Sequence, residues 1–127
     1  IAGLVSITAD PLSPAGGTAV IVGAIGGAIV YFSIVFLEKA GVDDPVGAIS
    51  AHGTVGIYGV LVVALTGGAS FVGQLTGVVM IAAFTYLASL GTIYVINMVM
   101  PIRASDAEQE AGLDISEVGI EAYPEFK

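Results

Sequence analysis

His52 is the residue of this chain best suited to chemistry near neutral pH, because an unperturbed imidazole changes charge there and no other side chain does. It stands in the run Asp43-Asp44-Pro45-Val46-Gly47-Ala48-Ile49-Ser50-Ala51-His52-Gly53-Thr54-Val55-Gly56. No Asp, Glu, Lys or Arg occurs between Pro45 and Ile102, so this imidazole and three tyrosines are the only titratable side chains of that stretch. His52, Gly56 and Gly59 fall at i, i+4 and i+7 and share one face of an α-helix, with Ala48 extending the face one turn earlier. A titratable ring beside residues this small leaves room for another helix, a water-filled cavity or a substrate. Ionisable groups inside a membrane segment are costly and mark functional sites. The alternative is a neutral imidazole that donates one hydrogen bond to a nearby carbonyl and merely packs.

Other chemistries find no residues to carry them. No Ser/His/Asp order, paired intramembrane carboxylates or cofactor lysine can be assembled, so the chain does not read as an enzyme and no cofactor is expected. One histidine and no cysteine rule out an all-protein zinc site and an iron–sulfur cluster. Three Lys and Arg in total cannot make a nucleic-acid footprint, and no phosphate-cradling glycine loop with its lysine is present. Asn97, Gln74, Tyr58, Tyr86 and Tyr94 remain as the larger polar groups, and the tyrosines suit packing or interface anchoring.

The elements that must position His52 follow from composition. Of the 127 residues 56% are hydrophobic and 11% charged, with a mean hydropathy of +0.97. Globular chains carry roughly 25% charged residues. The stretch between Pro11 and Leu37 is also free of Asp, Glu, Lys and Arg. The reading is an all-α integral membrane protein with three full transmembrane helices, at about 17–37, 46–65 and 71–100. Ile1 to Thr8 reads as the last turns of a partial helix, stopped by Asp10-Pro11-Leu12-Ser13-Pro14. Ile1 itself reads as an internal start, whether processed, truncated or trimmed, with no signal peptide.

Local signals refine the spans. Asp43 and Asp44 read as N-cap and first-turn residues of the second helix, with Pro45 at its first position. Thr66-Gly67-Gly68-Ala69-Ser70 is the fold-back between the second and third spans, and the third is long enough to tilt or project. Gly23 with Gly27, and Gly73 with Gly77, fit the small-x-x-x-small pattern of close helix packing. Residues 1–102 form the membrane region, and 103–127 form a tail in which Arg103 and Lys127 face seven Asp and Glu. Ala104–Ala111 can form a short helix, with an irregular remainder, and the acidity also fits a merely solvated segment. Lys39 and Arg103 fall on the same side of the bilayer, which the positive-inside rule makes cytoplasmic, with the Gly67–Ser70 turn outside.

The 43–56 run closely resembles a motif of the ammonium transporter family, in which an acidic pair and a proline precede a helix carrying a pore histidine in a His-Gly-x-x-Gly setting. Gly112-Leu113-Asp114-Ile115-Ser116-Glu117 and Glu121-Ala122-Tyr123 resemble the family's cytoplasmic C-terminal segment, and Ala2-Gly3-Leu4-Val5 followed by Thr8 suits the end of its eighth helix. Where the family usually carries His-Gly-Glu in the tail, this chain has Val118-Gly119-Ile120.

The resemblance implies an eleven-helix fold assembled as a homotrimer in the cell membrane, of which this chain supplies the end of helix eight, helices nine to eleven and the tail. It implies that His52 is one of a side-by-side histidine pair, with Ala48, Gly53, Gly56 and Gly59 packing the pore helix and Asp43, Asp44 and Pro45 starting it. Gly112, Leu113, Asp114 and Tyr123 would be the regulatory positions of the tail, facing a regulatory protein at the cytoplasmic side. The implied activity, in a transporter or a sensor, is recruitment of ammonium, its deprotonation and conduction of ammonia through an apolar pore. The implied partners are ammonium or ammonia, lipid and the remaining N-terminal helices of the fold. A reading from another class stands beside it: a small three-helix structural subunit of this ancestry, without transport of its own. Eight further spans and a second histidine encoded upstream favour the first, and a start codon or targeting peptide just before Ile1 the second.

Overall fold

The computed structural model describes residues 1–12 and 14–125; Ser13 of the breaker cluster and Phe126 and Lys127 of the tail lie outside the described residues. Among the described residues the chain is helical with no strand, and three helices are long and apolar enough to cross a membrane. It divides into two compact units, Ile1–Ala83 and Phe84–Lys127.

The first unit begins with a single helical turn, α1 (Ala2–Val5), and the long helix α2 (Gly16–Lys39). Pro14 cannot lie inside a helix, and Ala15 is extended, so α2 starts immediately after them. Its 24 residues cover roughly 36 Å at 1.5 Å each, more than the hydrocarbon core of about 30 Å. Its end is a Schellman motif: the Gly41 N–H donates to the Glu38 carbonyl at 3.1 Å and the Val42 N–H to the Leu37 carbonyl at 2.9 Å. That geometry needs a left-handed residue after the cap, and Gly41 supplies it at φ +72°.

Burial is sparse in this unit: the buried apolar side chains are those of Ala2, Val22, Val55 and Val63. Lipid is as apolar as these side chains, so close backbone packing and hydrogen bonds must hold the helices together. A Cβ on Gly3 would lie 3.2 Å from the Gly23 carbonyl oxygen, and one on Gly26 only 2.8 Å from Ser6 Oγ. The close-approach pair of α2 is therefore Gly23 and Gly26, whereas Gly27 has open space beside it. The fully buried Ser6 hydroxyl is shared between the Gly3 carbonyl at 2.7 Å and the Val22 carbonyl at 3.3 Å, and Tyr58 reaches the same Val22 carbonyl at 3.4 Å.

The second long helix is composite. Residues Ile49–Thr54 wind as a π-helix and continue as α3 (Val55–Thr66). The third, α4 (Phe71–Val99), starts after Gly67–Ser70 and buries none of its 29 residues. Gly77 has nothing beside it and Gly73 meets only Ser70 of its own turn, so the small-residue pair on this helix makes no helix contact among the described residues. In the second unit, α5 (Asp106–Ala111) opens on a capping box in which Ser105 Oγ accepts from the Glu108 N–H and Glu108 Oε2 accepts from the Ser105 N–H. The stretch expected to be irregular instead contains a π-helical turn, Asp114–Val118.

Candidate functional site

Asp44 organises the approach to His52. Pro45 does not begin the helix; Asp44, Pro45, Val46 and Gly47 form a turn closed by the Gly47 N–H donating to the Asp44 carbonyl at 2.9 Å. Gly47 sits at φ +66° and is buried, where a Cβ would meet the Ile34 side chain at 3.5 Å. The turn lets the Asp44 side chain reach past three residues to the helix end. Its Oδ1 accepts from the Ile49 N–H and its Oδ2 from the Ser50 N–H, both at 3.0 Å. Ala48, not Asp43 or Asp44, is the N-cap residue, and the helix starts several residues later than Pro45; Asp44 supplies from the preceding turn the hydrogen bonds that a cap side chain would make. Asp43 is exposed and makes no such bond among the described residues. Partial desolvation works against the Asp44 carboxylate, but hydrogen bonds from the Ile49 and Ser50 backbone, the Ser50 hydroxyl and the Ala48 backbone outweigh it and hold its pKa below the usual 3.8.

A hydroxyl cluster ties the π-helical turn to α2. Ser33 Oγ donates to Ser50 Oγ at 3.1 Å and lies 2.9 Å from Thr54 Oγ1. Ser50 is fully buried, and Ser33 and Thr54 are half-buried. None of the three was singled out from the sequence. The signal was there: hydroxyls at i and i+4 in an apolar span need a partner, and Ser33 is the hydroxyl of the preceding span placed to provide one.

The structure divides the residues expected on one face. Gly59 is buried against α1, where a Cβ would sit 2.9 Å from the Ser6 carbonyl oxygen and 3.1 Å from the Val5 carbonyl oxygen. Gly56 faces the same segment more loosely, 3.9 Å from Val5 Cγ1. His52, Gly53 and Ala48 are exposed. The i, i+4, i+7 rule assumes α-helical winding, whereas Ile49–Thr54 wind as a π-helix. His52 lies outside the glycine contact and is exposed on the unit.

A cavity of about 340 Å³ lies at the polar end of α2, lined by Ile34, Glu38, Gly41, Val42 and Asp43 to Pro45; His52 is not part of its wall. Among the described residues no group of three His, Cys, Asp or Glu could hold a metal ion. The tail residues belong to the second unit. Gly112 ends α5, Leu113 and Tyr123 are exposed, and Asp114 Oδ2 accepts from the Ala122 N–H at 2.7 Å, closing the tail into a loop. That Ala122 bond is the main reason the Asp114 carboxyl titrates below the usual carboxylate range; desolvation opposes it, and the Ile115 and Asp114 backbone N–H groups add to it.

Comparison with known proteins places this arrangement. The family model described as Ammonium Transporter Family matches residues 1–123. The chain is similar to the ammonium transporter Amt2 of Methanocaldococcus jannaschii, 34% identical with 98% of this chain and 32% of that protein covered. It is similar to Amt2 of Archaeoglobus fulgidus at 31% identity, covering 99% of this chain and 31% of the relative. The ammonium transporter Amt1 of Haloferax mediterranei is 34% identical over 99% of this chain and 26% of its own length. The chain thus spans about a third or less of the length of these relatives.

Proposed function

Because the chain belongs to the ammonium transporter family, we propose that it contributes one wall of an ammonium pore, with His52 as one of two imidazoles that face each other across it. The observation that carries this reading is the exposure of His52: on a helix otherwise free of charge, its imidazole lies outside the packed glycine contact. The chemistry suits the cargo. Moving a bare ammonium ion into hydrocarbon costs tens of kcal/mol, whereas neutral ammonia needs only a few hydrogen bonds. An imidazole can accept a proton at one nitrogen while donating from the other, and it carries no permanent charge into the pore. A second imidazole opposite it completes a path in which a proton is handed on and ammonia proceeds. The chain's role is therefore transport and not catalysis.

Further assignments belong to the same proposal. The complete assembly is a trimer in the cell membrane with one pore per subunit. Lys39, Arg103 and the acidic tail lie on the cytoplasmic side, where Gly112, Leu113, Asp114 and Tyr123 meet a regulatory partner.

The test is His52→Ala in the polypeptide encoded by the complete reading frame, reconstituted in liposomes and challenged with an ammonium pulse. Flux should fall, or selectivity against other monovalent cations loosen, while the assembled size and thermal midpoint stay unchanged. A histidine that merely packs gives the reverse: one lost buried hydrogen bond costs about 1–3 kcal/mol, and assembly suffers first.

A further inference from the structure

We infer that the hydroxyl chain Thr54–Ser33–Ser50, anchored on the Asp44 carboxylate, is a positioning device that holds the π-helical turn and thereby sets the direction in which His52 points. The inference rests on the pore reading of His52 for its functional consequence, and on hydrogen-bond geometry for the rest. Ser33 donates to Ser50 at 3.1 Å, and the Ser50 backbone ties the pair to Asp44, whose two carboxylate oxygens accept from the Ile49 and Ser50 N–H groups at 3.0 Å. With the Ser33 proton committed to Ser50, the 2.9 Å contact to Thr54 is made by Thr54 donating. The Thr54 and Ser33 protons then point one way, towards Ser50, and two hydroxyl bonds in series strengthen each other.

The chain brackets the π-helical turn. Ser50 lies at its second residue and Thr54 at its last, and one Ser33 oxygen bonds both, so the span between them is fixed from the side by α2. A π-helical turn is intrinsically poorer than the α-helix that could replace it and persists only when tertiary contacts hold it. Released to α-helical winding, His52 would change its angular position relative to Gly56 and Gly59, the row packed against Val5 and Ser6. The hydroxyls thus act on His52 through the backbone, not by touching it.

Ser33→Ala tests this in the complete protein in liposomes, with Ser33→Thr as the variant that restores the hydroxyl. The His52 imidazole resonance, identified by its loss in His52→Ala, should move in Ser33→Ala and return in Ser33→Thr. Ammonium flux should fall by about ten- to a hundredfold in Ser33→Ala, the penalty typical of a displaced functional group, and recover in Ser33→Thr. If Ser33→Ala does not assemble, Thr54→Val with Thr54→Ser as its rescue removes only the end of the chain and is read the same way. An unmoved resonance overturns the inference, whatever the flux. A moved resonance with normal flux in both Ser33→Ala and His52→Ala leaves the positioning intact and overturns the pore reading instead.

Discussion

Gly59→Ala should loosen the attachment of α1, and the size of the effect can be worked from the backbone. A Cβ at residue 59 would stand 2.9 Å from the Ser6 carbonyl oxygen, 3.1 Å from Ser6 Cα and 3.1 Å from the Val5 carbonyl oxygen. Non-bonded heavy atoms rest at about 3.5–4.0 Å, so α1 must retreat by roughly half an ångström. The obstacles are main-chain atoms and cannot swing aside. The same retreat stretches the 3.3 Å bond from Ser6 Oγ to the Val22 carbonyl and opens the contact of Gly3 with Gly23. Overpacking of this kind costs about 1–3 kcal/mol, more than the roughly 1 kcal/mol by which alanine outdoes glycine as a helix former. Two controls fix the sign. At Gly56 the new methyl meets Val5 Cγ1 at an ordinary 3.9 Å, and at Gly27 it meets nothing within 4 Å, so both alanine variants should be neutral or slightly stabilising. Thermal melts of the three purified variants, followed by the loss of the assembled peak on size exclusion, should place Gly59→Ala alone below the parent. A ranking in which Gly56→Ala or Gly27→Ala is hurt as badly would refute the placement of α1 against Gly59.

Two further predictions come from the charged groups outside the spans. The Asp44 carboxyl is held below its usual 3.8, so its contribution to folding is complete above that value and disappears as pH falls through the lower folded value. Thermal midpoints measured from about pH 5 down to 3 should therefore drop more steeply for the parent than for Asp44→Asn, which lacks this titration and starts lower; parallel curves would refute the cap. For orientation, single cysteines at Ser70 and Ser105 labelled in intact cells with an impermeant maleimide should react at position 70 and not at 105, and the opposite pattern would invert the topology.

The parts of the fold that depend on solvent preference were legible in the residues alone. Two long stretches without charge, broken by Glu38-Lys39 and by the glycine-rich segment after Thr66, can only be apolar helices that fold back, and the structure has three helices of that kind. The motif around His52 likewise pointed to the family that the comparisons show. What failed was angular detail. The pairing of Gly23 with Gly27 follows from an i, i+4 count on an isolated helix, but α1 crosses α2 so that Gly23 and Gly26 meet it. Pro45 looks like a first helical residue because proline suits that position. The decision went instead to Gly47, whose positive φ allows a turn that carries the Asp44 carboxylate to Ile49 and Ser50. The π-helical turn itself has no local signature; its Ser50 and Thr54 hydroxyls bond Ser33, which lies on the preceding helix 17 residues before Ser50.

Those long-range contacts account for most of the few polar and small groups of the second span. Ser50 and Thr54 commit their hydroxyls inward to Ser33, and Gly56 and Gly59 use their missing side chains to admit α1. His52 is what remains, an exposed imidazole on a helix meant for hydrocarbon. Lipid cannot satisfy it, because a polar group moved into an apolar medium without a hydrogen bond costs about 2–7 kcal/mol. The surface around His52 must therefore be met by protein or by water, and the small neighbours Ala48 and Gly53 set how near that partner can come. With no Asp, Glu, Lys or Arg on the helix to pair with, the imidazole's partner has to come from another element or from water.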